Sequence, residues 1–427
     1  MTKFKVTGGN NLDGSVEISG AKNSLLPLIC ASLLSQETIL SNAPKLRDAE
    51  ILLEIMSSIG VNNSWEGIED TLHISIDNID KNVQLLQEQV SNIRYSTILM
   101  GALIGRGCKK IEIAYPGGCS SFGTRPIDIH LVGFEAFGAD IKILEQSLVI
   151  DCNKLNHKVN HKLRFPSVGA TLNLILASAA IDGEVILDNI AIEPEVIDLI
   201  DFCKKVGFTI EFLKERTIKL ISPKNTNSSR VSHNVIPDRI ETISYLVLGT
   251  LLCREFLVIN NPNILHTKQP RDFLQKMGVP FDIYNDKIVV YRSDKLVSQK
   301  LQVGVYPKIG TDYQPIIAAA MILSNGVSEI VDHIYPKRFA YLDELRPAGV
   351  QSNHYDGIAH IIGNPFLEMA GDFDFKCHDL RAGFTALMFA LMNDGVSILD
   401  YSEQILRGYN QVVEKLTAIG AKIEVID

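Results

Sequence analysis

A glycine-rich segment in the first half of the chain carries a cysteine, an arginine, an aspartate and a histidine close together. It runs from Pro116 to His130 and reads PGGCSSFGTRPIDIH. A cysteine in such a loop near an arginine can have a lowered pKa and act as a nucleophile or proton donor. Position alone leaves Cys119 open between that role and an inert thiol. Arg125 and Asp128 are predicted to contact a ligand rather than to form a solvated ion pair, and His130 is predicted to be structural.

Charged and small polar residues also stand in front of six strongly apolar runs. They are Lys22 with Asn23, Arg94, residues 167–169, Asp238 and Arg239 with Glu241, Thr311 with Asp312, and residues 379–381. A helix N-terminus exposes unpaired N–H groups and about half a positive charge, which favours anions. If three such helices per lobe point into one cleft, the cleft would bind a small phosphate, with Lys22, Arg94, Arg239 and Arg381 lining it.

Helix capping is the alternative explanation for these polar residues. For Asp238, Arg239 and Asp379 two roles remain equally open. One is structural, as a helix cap or in an ion pair with a neighbouring residue, and the other is catalytic. Lys22 has an asparagine beside it and an apolar helix after it. A ligand-binding role is therefore favoured for Lys22.

The six apolar runs themselves are apolar on every side, which predicts fully buried helices rather than amphipathic ones. They span residues 25–34, 96–104, 170–181, 243–252, 316–323 and 385–392. Each is followed by a strand-like segment, such as EVILD at 184–188 or VSILD at 396–400. A single unit of this size cannot bury a helix all round, so several units must pack their helices together.

A regular series of glycines indicates how many such units the chain contains. A helical pattern that ends in glycine and leads into a strand recurs at Gly60, Gly138, Gly207, Gly278, Gly349 and Gly420, with spacings of 78, 69, 71, 71 and 71 residues. Glycine adopts the left-handed conformation that ends a helix at no steric cost. The sequence therefore predicts a sixfold α/β repeat, partitioned as three units per lobe.

Composition excludes several other classes of protein. The net charge is −9 and no dense basic run is present, which disfavours a nucleic acid or an anionic membrane as partner. No apolar stretch is long enough to span a bilayer and the first residues lack a signal core, so a cytoplasmic protein is expected.

Seven cysteines without a CxxC pair disfavour disulfides and zinc. The usual nucleotide-hydrolysis, dinucleotide and zinc-hydrolase motifs are missing from the sequence, and neither metal nor cofactor is expected.

Eleven short stretches together resemble the UDP-N-acetylglucosamine 1-carboxyvinyltransferases, a family of enolpyruvyl transferases. These stretches are 20–23, 94–96, 116–119, 125–130, 166–171, 193–195, 236–242, 311–312, 338–339, 379–381 and 407–409, so the resemblance runs essentially end to end. It implies an inside-out α/β barrel of two lobes, each with three βαβαββ repeats and buried helices. One lobe would comprise residues 1–21 plus 236–427, and the other, residues 22–235, would carry the Cys119 loop.

The resemblance also implies a reaction and a set of site residues. The enolpyruvyl group of phosphoenolpyruvate would move to the 3'-hydroxyl of UDP-N-acetylglucosamine with release of phosphate, the first committed step of peptidoglycan synthesis. Cys119 would donate a proton and Asp312 would act as base, with Lys22, Asn23 and Arg407 completing the catalytic group. Phosphoenolpyruvate would be bound by Lys22, Asn23, Arg125, Arg381 and Arg407. The UDP-sugar would be bound by Asn23, Arg94, Arg125, Pro126, Ile127, Asp128, Ile129, Ser167, Val168, Gly169, Asp312 and Ile334.

Four departures from the family pattern bear on the acceptor. The Cys119 loop is one residue longer than usual, and Ile243-Ser244, residues 308–310 and Pro336-Lys337 replace other residues. A paralogue that uses another nucleotide or sugar is therefore an alternative. The related 5-enolpyruvylshikimate 3-phosphate synthase is disfavoured because its Gly-Asn-Ala-Gly-Thr loop is missing. A catalytically silent homologue is disfavoured by the joint presence of Lys22, Cys119, Asp312, Arg381 and Arg407. The sequence carries no signal for an oligomeric state.

Overall fold

The protein divides into two compact units, each with its own hydrophobic core. One unit comprises Met1–Ser19 and Pro237–Asp427, and the other comprises Gly20–Ile236. We refer to them as the terminal unit and the inserted unit. The computed structural model describes residues 2–67, 70–115, 127–223 and 230–426.

The α-helices of the inserted unit are α1 (Lys22–Ala31), α2 (Arg47–Ser57), α3 (Glu88–Asn92), α4 (Ser96–Arg106), α5 (Asp128–Ala136), α6 (Val168–Ala177) and α7 (Pro194–Val206). Those of the terminal unit are α8 (Arg239–Leu252), α9 (Lys268–Lys276), α10 (Gln314–Ile322), α11 (Ala340–Glu344), α12 (Leu380–Met392), α13 (Glu403–Leu406) and α14 (Val412–Ala418). Single 3₁₀ turns lie at Ser32–Leu34, Ser178–Ala180, Thr311–Tyr313 and Arg346–Ala348.

The strands of the terminal unit are β1 (Lys3–Thr7), β2 (Leu12–Glu17), β15 (Cys253–Asn260), β16 (Phe281–Ile283), β17 (Lys287–Tyr291), β18 (Lys300–Gln302), β19 (Gly326–Val331), β20 (Gln351–Tyr355), β21 (Ile358–Gly363), β22 (Phe373–Lys376), β23 (Val396–Asp400) and β24 (Lys422–Ile426). Those of the inserted unit are β3 (Glu37–Ser41), β4 (Val61–Glu66), β5 (Thr71–Ile76), β6 (Asn82–Leu85), β7 (Lys110–Ala114), β8 (Asp140–Ile143), β9 (Ser147–Asp151), β10 (Val159–Lys162), β11 (Glu184–Asp188), β12 (Thr209–Lys214), β13 (Thr217–Ile221) and β14 (Arg230–Asn234).

Within the described ranges the strands form six four-stranded sheets, three in each unit. Their strand orders are β14-β3-β5-β4, β6-β7-β9-β8 and β10-β11-β13-β12 in the inserted unit, and β2-β15-β17-β16, β18-β19-β21-β20 and β22-β23-β1-β24 in the terminal unit. Every sheet begins with a parallel pair, and its other two neighbour pairs are antiparallel. The predicted sixfold repeat is confirmed at the level of strand pairing.

One central helix per repeat is buried on all sides, as the sequence predicts. These helices are α1, α4 and α6 in the inserted unit and α8, α10 and α12 in the terminal unit. In the terminal unit the three pack against one another, and in the inserted unit α4 packs against both α1 and α6. A helix enclosed by its neighbours has no solvent face, which explains why its sequence lacks an amphipathic pattern.

The six repeat glycines end helices in the predicted conformation. Their φ angles lie between 89° and 115°. Such angles are costly for residues with a Cβ atom. At Gly60 an added Cβ would also lie only 2.4 Å from the carbonyl oxygen of Asn78. This combination of torsion and close approach explains the glycine at that helix end.

Strands distant in sequence complete the sheets. In the inserted unit, β14 pairs in parallel with β3, so the last strand of the unit lies beside its first. In the terminal unit, β1 lies between β23 and β24 and joins the two ends of the chain in one sheet. Among the described residues, no helix combines the length and apolar character needed to cross a membrane.

Candidate active site

The first turn of α1 presents Lys22 and Asn23 at a helix N-terminus. The N-cap residue, Ala21, has no polar side chain that could occupy the first N–H groups. Lys22 is buried, and its Nζ lies 2.7 Å from Oδ2 of the equally buried Asp48 on α2. The side-chain oxygen of Asn23 accepts a hydrogen bond of 3.0 Å from the hydroxyl of Tyr95. The turn therefore combines the helix dipole, a cation and an amide held in a defined orientation.

The start of α6 lies beside His130, which the structure places in the protein core. Nδ1 of His130 is 2.7 Å from Nδ2 of Asn173, and a Cβ added at Gly169 would be 3.1 Å from the imidazole. Burial, together with the charge of Arg94, lowers the pKa of His130 to about 4. The ring is thus neutral at physiological pH, which supports the prediction that His130 is structural.

The other predicted UDP-sugar residues of the inserted unit lie at its helix starts. Ser167 caps α6 by accepting a hydrogen bond from the backbone N–H of Ala170. Ile127 is buried. Ser167 and the remaining ones, Arg94, Asp128, Ile129, Val168 and Gly169, are half-buried. Cys119, Arg125 and Pro126 lie outside the described residues.

Asp128 has an ion-pair partner that the sequence does not predict. Its Oδ2 pairs with the guanidinium of Arg164, whose side chain is mostly exposed, whereas the Asp128 side chain is only partly exposed. The sequence predicts that Asp128 contacts a ligand rather than forming a solvated ion pair. In this structure the carboxylate does form an ion pair, although one of its oxygens, Oδ1, is buried without a hydrogen bond to any described residue.

In the terminal unit, Arg338 joins the segments that precede α10 and α12. Its Nη1 donates a hydrogen bond of 2.7 Å to Oδ1 of Asp312. Its Nε and Nη2 donate to the two oxygens of Asp379 at 3.0 and 3.2 Å. Burial disfavours the charged guanidinium, but the Asp379 and Asp312 carboxylates outweigh it, so the pKa of Arg338 is raised. Asp312 remains partly exposed while Arg338 and Asp379 are buried.

Arg381 lies one residue inside α12 and is held by the segment that carries Arg407. Its Nη1 donates to the carbonyl oxygen of Gly408 at 3.3 Å, and its guanidinium lies 5.0 Å from the ring centroid of Tyr409. Nε of Arg381 is buried and has no hydrogen-bond partner among the described residues. Arg407 itself is half-buried and donates to the side-chain oxygen of Gln404 at 2.9 Å.

The N-terminal ends of the buried helices meet within each unit. In the terminal unit, Arg338 links the starts of α10 and α12, and Arg239 at the start of α8 donates to the hydroxyl of Tyr313 at 3.2 Å. In the inserted unit, the bond between Tyr95 and Asn23 links the starts of α4 and α1. Each unit therefore collects cationic side chains and helix N-termini in one region.

Capping, one of the two alternatives left open from sequence, is observed at two aspartates. Asp238 accepts hydrogen bonds from the backbone N–H groups of Ile240 and Glu241 at 2.7 and 3.0 Å. Asp379 caps α12 in addition to pairing with Arg338. These interactions stabilise the helix starts that position their neighbours.

Several residues of this region were not assigned a role from sequence. Asp48 and Arg338 are the partners of Lys22 and Asp312 described above. Asp332 accepts the backbone N–H of Ile334 at 3.0 Å and the hydroxyl of Thr311 at 2.6 Å. No local sequence pattern predicts these roles, because each residue forms its hydrogen bonds or ion pairs with a segment that is distant in the sequence or across a turn.

One of the four departures from the family pattern, Ile243-Ser244, lies in the core. Ile243 and Ser244 are fully buried in α8, and the Ser244 hydroxyl is 2.8 Å from that of Tyr409. They were expected on the acceptor side. Since neither has exposed surface, an effect on the acceptor would have to be indirect, through the packing of Tyr409.

The described residues contain no group of three or more histidine, cysteine, aspartate or glutamate side chains that could hold a metal ion. Six cysteines, Cys30, Cys108, Cys152, Cys203, Cys253 and Cys377, are buried free thiols. Burial raises the pKa of each of these thiols. None of these six is suited to act as a thiolate at neutral pH.

The arrangement of buried helices and basic side chains can be compared with known proteins. The family model for EPSP synthase (3-phosphoshikimate 1-carboxyvinyltransferase) matches residues 6–416. The chain belongs to the EPSP synthase family. Within this family, it is 34% identical over 430 residues to the UDP-N-acetylglucosamine 1-carboxyvinyltransferase of Lactobacillus johnsonii, with both chains covered fully. It is 32% identical to the enzyme of that name from Thermotoga petrophila, with 100% of this chain and 99% of the relative covered.

Solved structures of two enolpyruvyl transferases share the fold. The enolpyruvyl transferase NikO from Streptomyces tendae superposes with a TM-score of 0.88 at 24% identity, covering 100% of this chain and 99% of NikO. An EPSP synthase from Acinetobacter baumannii gives a TM-score of 0.75 at 14% identity, with both chains covered fully. The predicted enolpyruvyl transferase fold is confirmed.

Proposed function

We propose that this enolpyruvyl transferase moves the enolpyruvyl group of phosphoenolpyruvate to the 3'-hydroxyl of UDP-N-acetylglucosamine and releases phosphate. The observation that carries the proposal is the full-length identity of 32–34% with transferases that act on this acceptor by name. The product would enter peptidoglycan synthesis at its first committed step, in the cytoplasm. We propose no cofactor or metal for this reaction.

The donor is a small anion with a carboxylate and a phosphate group. We assign its binding to Lys22, Asn23, Arg125, Arg381 and Arg407. Lys22 stands at a helix N-terminus where the backbone itself favours an anion. Arg381 is fixed by the Gly408 carbonyl and the Tyr409 ring, so little reorganisation would be needed when its charge meets the donor.

The reaction consists of an addition and an elimination. The sugar oxygen forms a bond to C2 of phosphoenolpyruvate and loses its proton to Asp312, while Cys119 gives a proton to C3. The resulting tetrahedral intermediate then loses phosphate from C2 and a proton from C3 to the Cys119 thiolate, which restores the double bond as an enol ether. The leaving phosphate takes the proton held by Asp312, so both residues return to their starting states. Asp312 is suited to the base role because its carboxylate is partly exposed and fixed by Arg338.

The acceptor site would extend over the inserted unit. We assign it to Asn23, Arg94, Arg125, Pro126, Ile127, Asp128, Ile129, Ser167, Val168 and Gly169, with Asp312 and Ile334 from the terminal unit. Arg94 and the N-terminus of α6 offer the charges that a diphosphate requires. Asp128, now paired with Arg164, would supply a hydrogen-bond acceptor.

Phosphate release with a panel of acceptors tests the proposed substrate. We expect release from phosphoenolpyruvate with UDP-N-acetylglucosamine, and release at least about 100-fold slower with UMP or shikimate 3-phosphate, because a hydrogen-bonding site strongly rejects a ligand that leaves its groups unpaired. The measurement is inorganic phosphate over time at saturating donor.

The same panel contains the outcomes that contradict the proposal. Fast release with UMP would identify a paralogue with a different acceptor, a possibility raised by the changes at residues 308–310 and 336–337. No release with any acceptor would identify a catalytically silent member of the family. In either case the full-length similarity would reflect fold and ancestry only.

Cys119 is expected to react with fosfomycin, an epoxide that mimics the donor. The six described cysteines are buried with raised thiol pKa values, so they should not compete for the reagent. Intact-protein mass spectrometry should show a single adduct, and peptide mapping should place it on Cys119. The control Cys119→Ala should take up none. An unlabelled, fully active enzyme would show that the longer loop positions the thiol away from the donor.

A further inference from the structure

A buried chain of three polar side chains lies behind the first turn of α1 and has no role in the mechanism above. Asp198 on α7 accepts a hydrogen bond on Oδ2 from the hydroxyl of Ser24. Its other oxygen, Oδ1, is 2.8 Å from Nε2 of His233 on β14. All three side chains are at least nine-tenths buried. The chain therefore joins α1, α7 and β14 inside the inserted unit.

The order of these groups excludes nucleophilic catalysis by Ser24. A nucleophilic serine needs the imidazole next to it as base, with the carboxylate behind the imidazole. Here the carboxylate is in the middle, and Nδ1 of His233 has no hydrogen-bond partner in the part of the chain that the structure describes. The arrangement is suited to holding a serine in place rather than to activating it.

Three successive side chains of α1 are bonded to three different elements. Lys22 bonds to Asp48 on α2, and Asn23 to Tyr95 in front of α4. Ser24 bonds to Asp198 on α7. Since Ala21 cannot cap the helix with its side chain, these contacts are what fixes the turn from outside. The bond from Ser24 is directed away from solvent into the core.

We propose that Ser24, Asp198 and His233 form a positioning network that fixes the first turn of α1 and thereby sets the position of Lys22 and Asn23 towards phosphoenolpyruvate. The inference rests on the proposed function for its catalytic consequence. A buried carboxylate is stable only when its oxygens are hydrogen bonded, and Asp198 achieves this with one group on each side. A shift of about 1 Å in a substrate-binding group can cost about 100-fold in rate.

Ser24→Ala and Asp198→Asn test the network, alone and combined. We expect each single variant to raise the KM for phosphoenolpyruvate about tenfold, a shift near 1.4 kcal/mol. The double variant should be no worse than the more impaired single variant, because Ser24→Ala removes the connection that Asp198→Asn weakens. Thr217→Val is the matched control. It removes a hydroxyl that bonds to Asp188 at 2.7 Å elsewhere in the inserted unit, and its KM values should equal those of the wild type.

Hydrogen exchange supplies a measurement that does not depend on catalysis. The amides of Ser24 and Leu25 donate to the carbonyl of Ala21, and we expect them to exchange at least about tenfold faster in both single variants than in Thr217→Val.

Unchanged exchange at these amides overturns the network, whatever the enzyme's activity. An unchanged KM for phosphoenolpyruvate in the single variants also overturns the network. So does a double variant in which the KM increases of the two single variants multiply. A wild-type protein that releases no phosphate would instead refute the proposed function, while the exchange result would still decide the network. Should Asp198→Asn fail to fold, Ser24→Ala decides alone.

Discussion

Replacing Lys22 by alanine is expected to lower the rate of phosphate release about 1000-fold, the upper end of what one preorganised charge contributes to an anionic transition state. The same change removes the Lys22 ammonium group, which lies 2.7 Å from the buried carboxylate of Asp48, and leaves that carboxylate without this cation. Breaking a buried ion pair in this way costs about 3–5 kcal/mol of folding free energy. Steady-state kinetics and urea unfolding measure the two effects separately.

The double variant Lys22→Ala/Asp48→Asn separates the catalytic effect from the structural one. It removes the unpaired charge, so most of the lost stability should return while the rate stays low. Lys204→Ala is the control, because it also removes a lysine from an ion pair in the inserted unit. The ion pair between Lys204 and Asp201 is exposed and contributes less than about 1 kcal/mol to the free energy of unfolding. A double variant whose rate recovers along with its stability would show that Lys22 only maintains the fold.

The repeat architecture could be predicted from the sequence because its signals are local. A helix enclosed on every side requires an apolar residue at almost every position, and a helix end with positive φ requires glycine. Both features recur six times, at helices such as α10 and glycines such as Gly349, and both are observed. The confirmed family fold was implied by the resemblance to a known family, and it agrees with these two constraints.

The starts of the helices were predicted less accurately. Three central helices, α1, α8 and α12, begin at Lys22, Arg239 and Leu380, three to five residues earlier than their apolar runs. Caps explain two of these differences, because the side chains of Asp238 and Asp379 accept backbone N–H groups and allow a helix to begin among polar residues. The charged residues are therefore part of the helices' first turns rather than a loop before them.

The partners of the site residues could not be predicted from the sequence. Asp48 lies 26 residues after Lys22, and Arg338 lies 26 residues after Asp312. Such pairs depend on how whole elements pack, and a single sequence contains no periodic signal for them. The contact between Ser24 and Asp198 spans a still longer separation of 174 residues.

Replacing Asp312 by asparagine is expected to lower kcat about 1000-fold, within the range of about 100-fold to 10,000-fold that a positioned general base provides. Asparagine keeps the shape of the side chain and can still accept the hydrogen bond from Arg338, so the KM for the acceptor should change little. Because the pair is partly exposed on the Asp312 side, we expect a stability loss of only about 1 kcal/mol. The measurements are steady-state kinetics in both substrates and thermal unfolding.

The pH dependence of kcat distinguishes a base from a residue that merely orients Arg338. If Asp312 removes the proton, the acidic limb of the wild-type profile disappears in Asp312→Asn. Asp343→Asn serves as the matched control, since Asp343 also pairs with an arginine of the same unit, Arg346, at 2.8 Å and should leave rate and profile unchanged. An Asp312→Asn enzyme that keeps the acidic limb and a kcat within tenfold of the wild type would assign the base to another group. The link between Arg338 and the starts of α10 and α12 would then be the remaining function of this carboxylate.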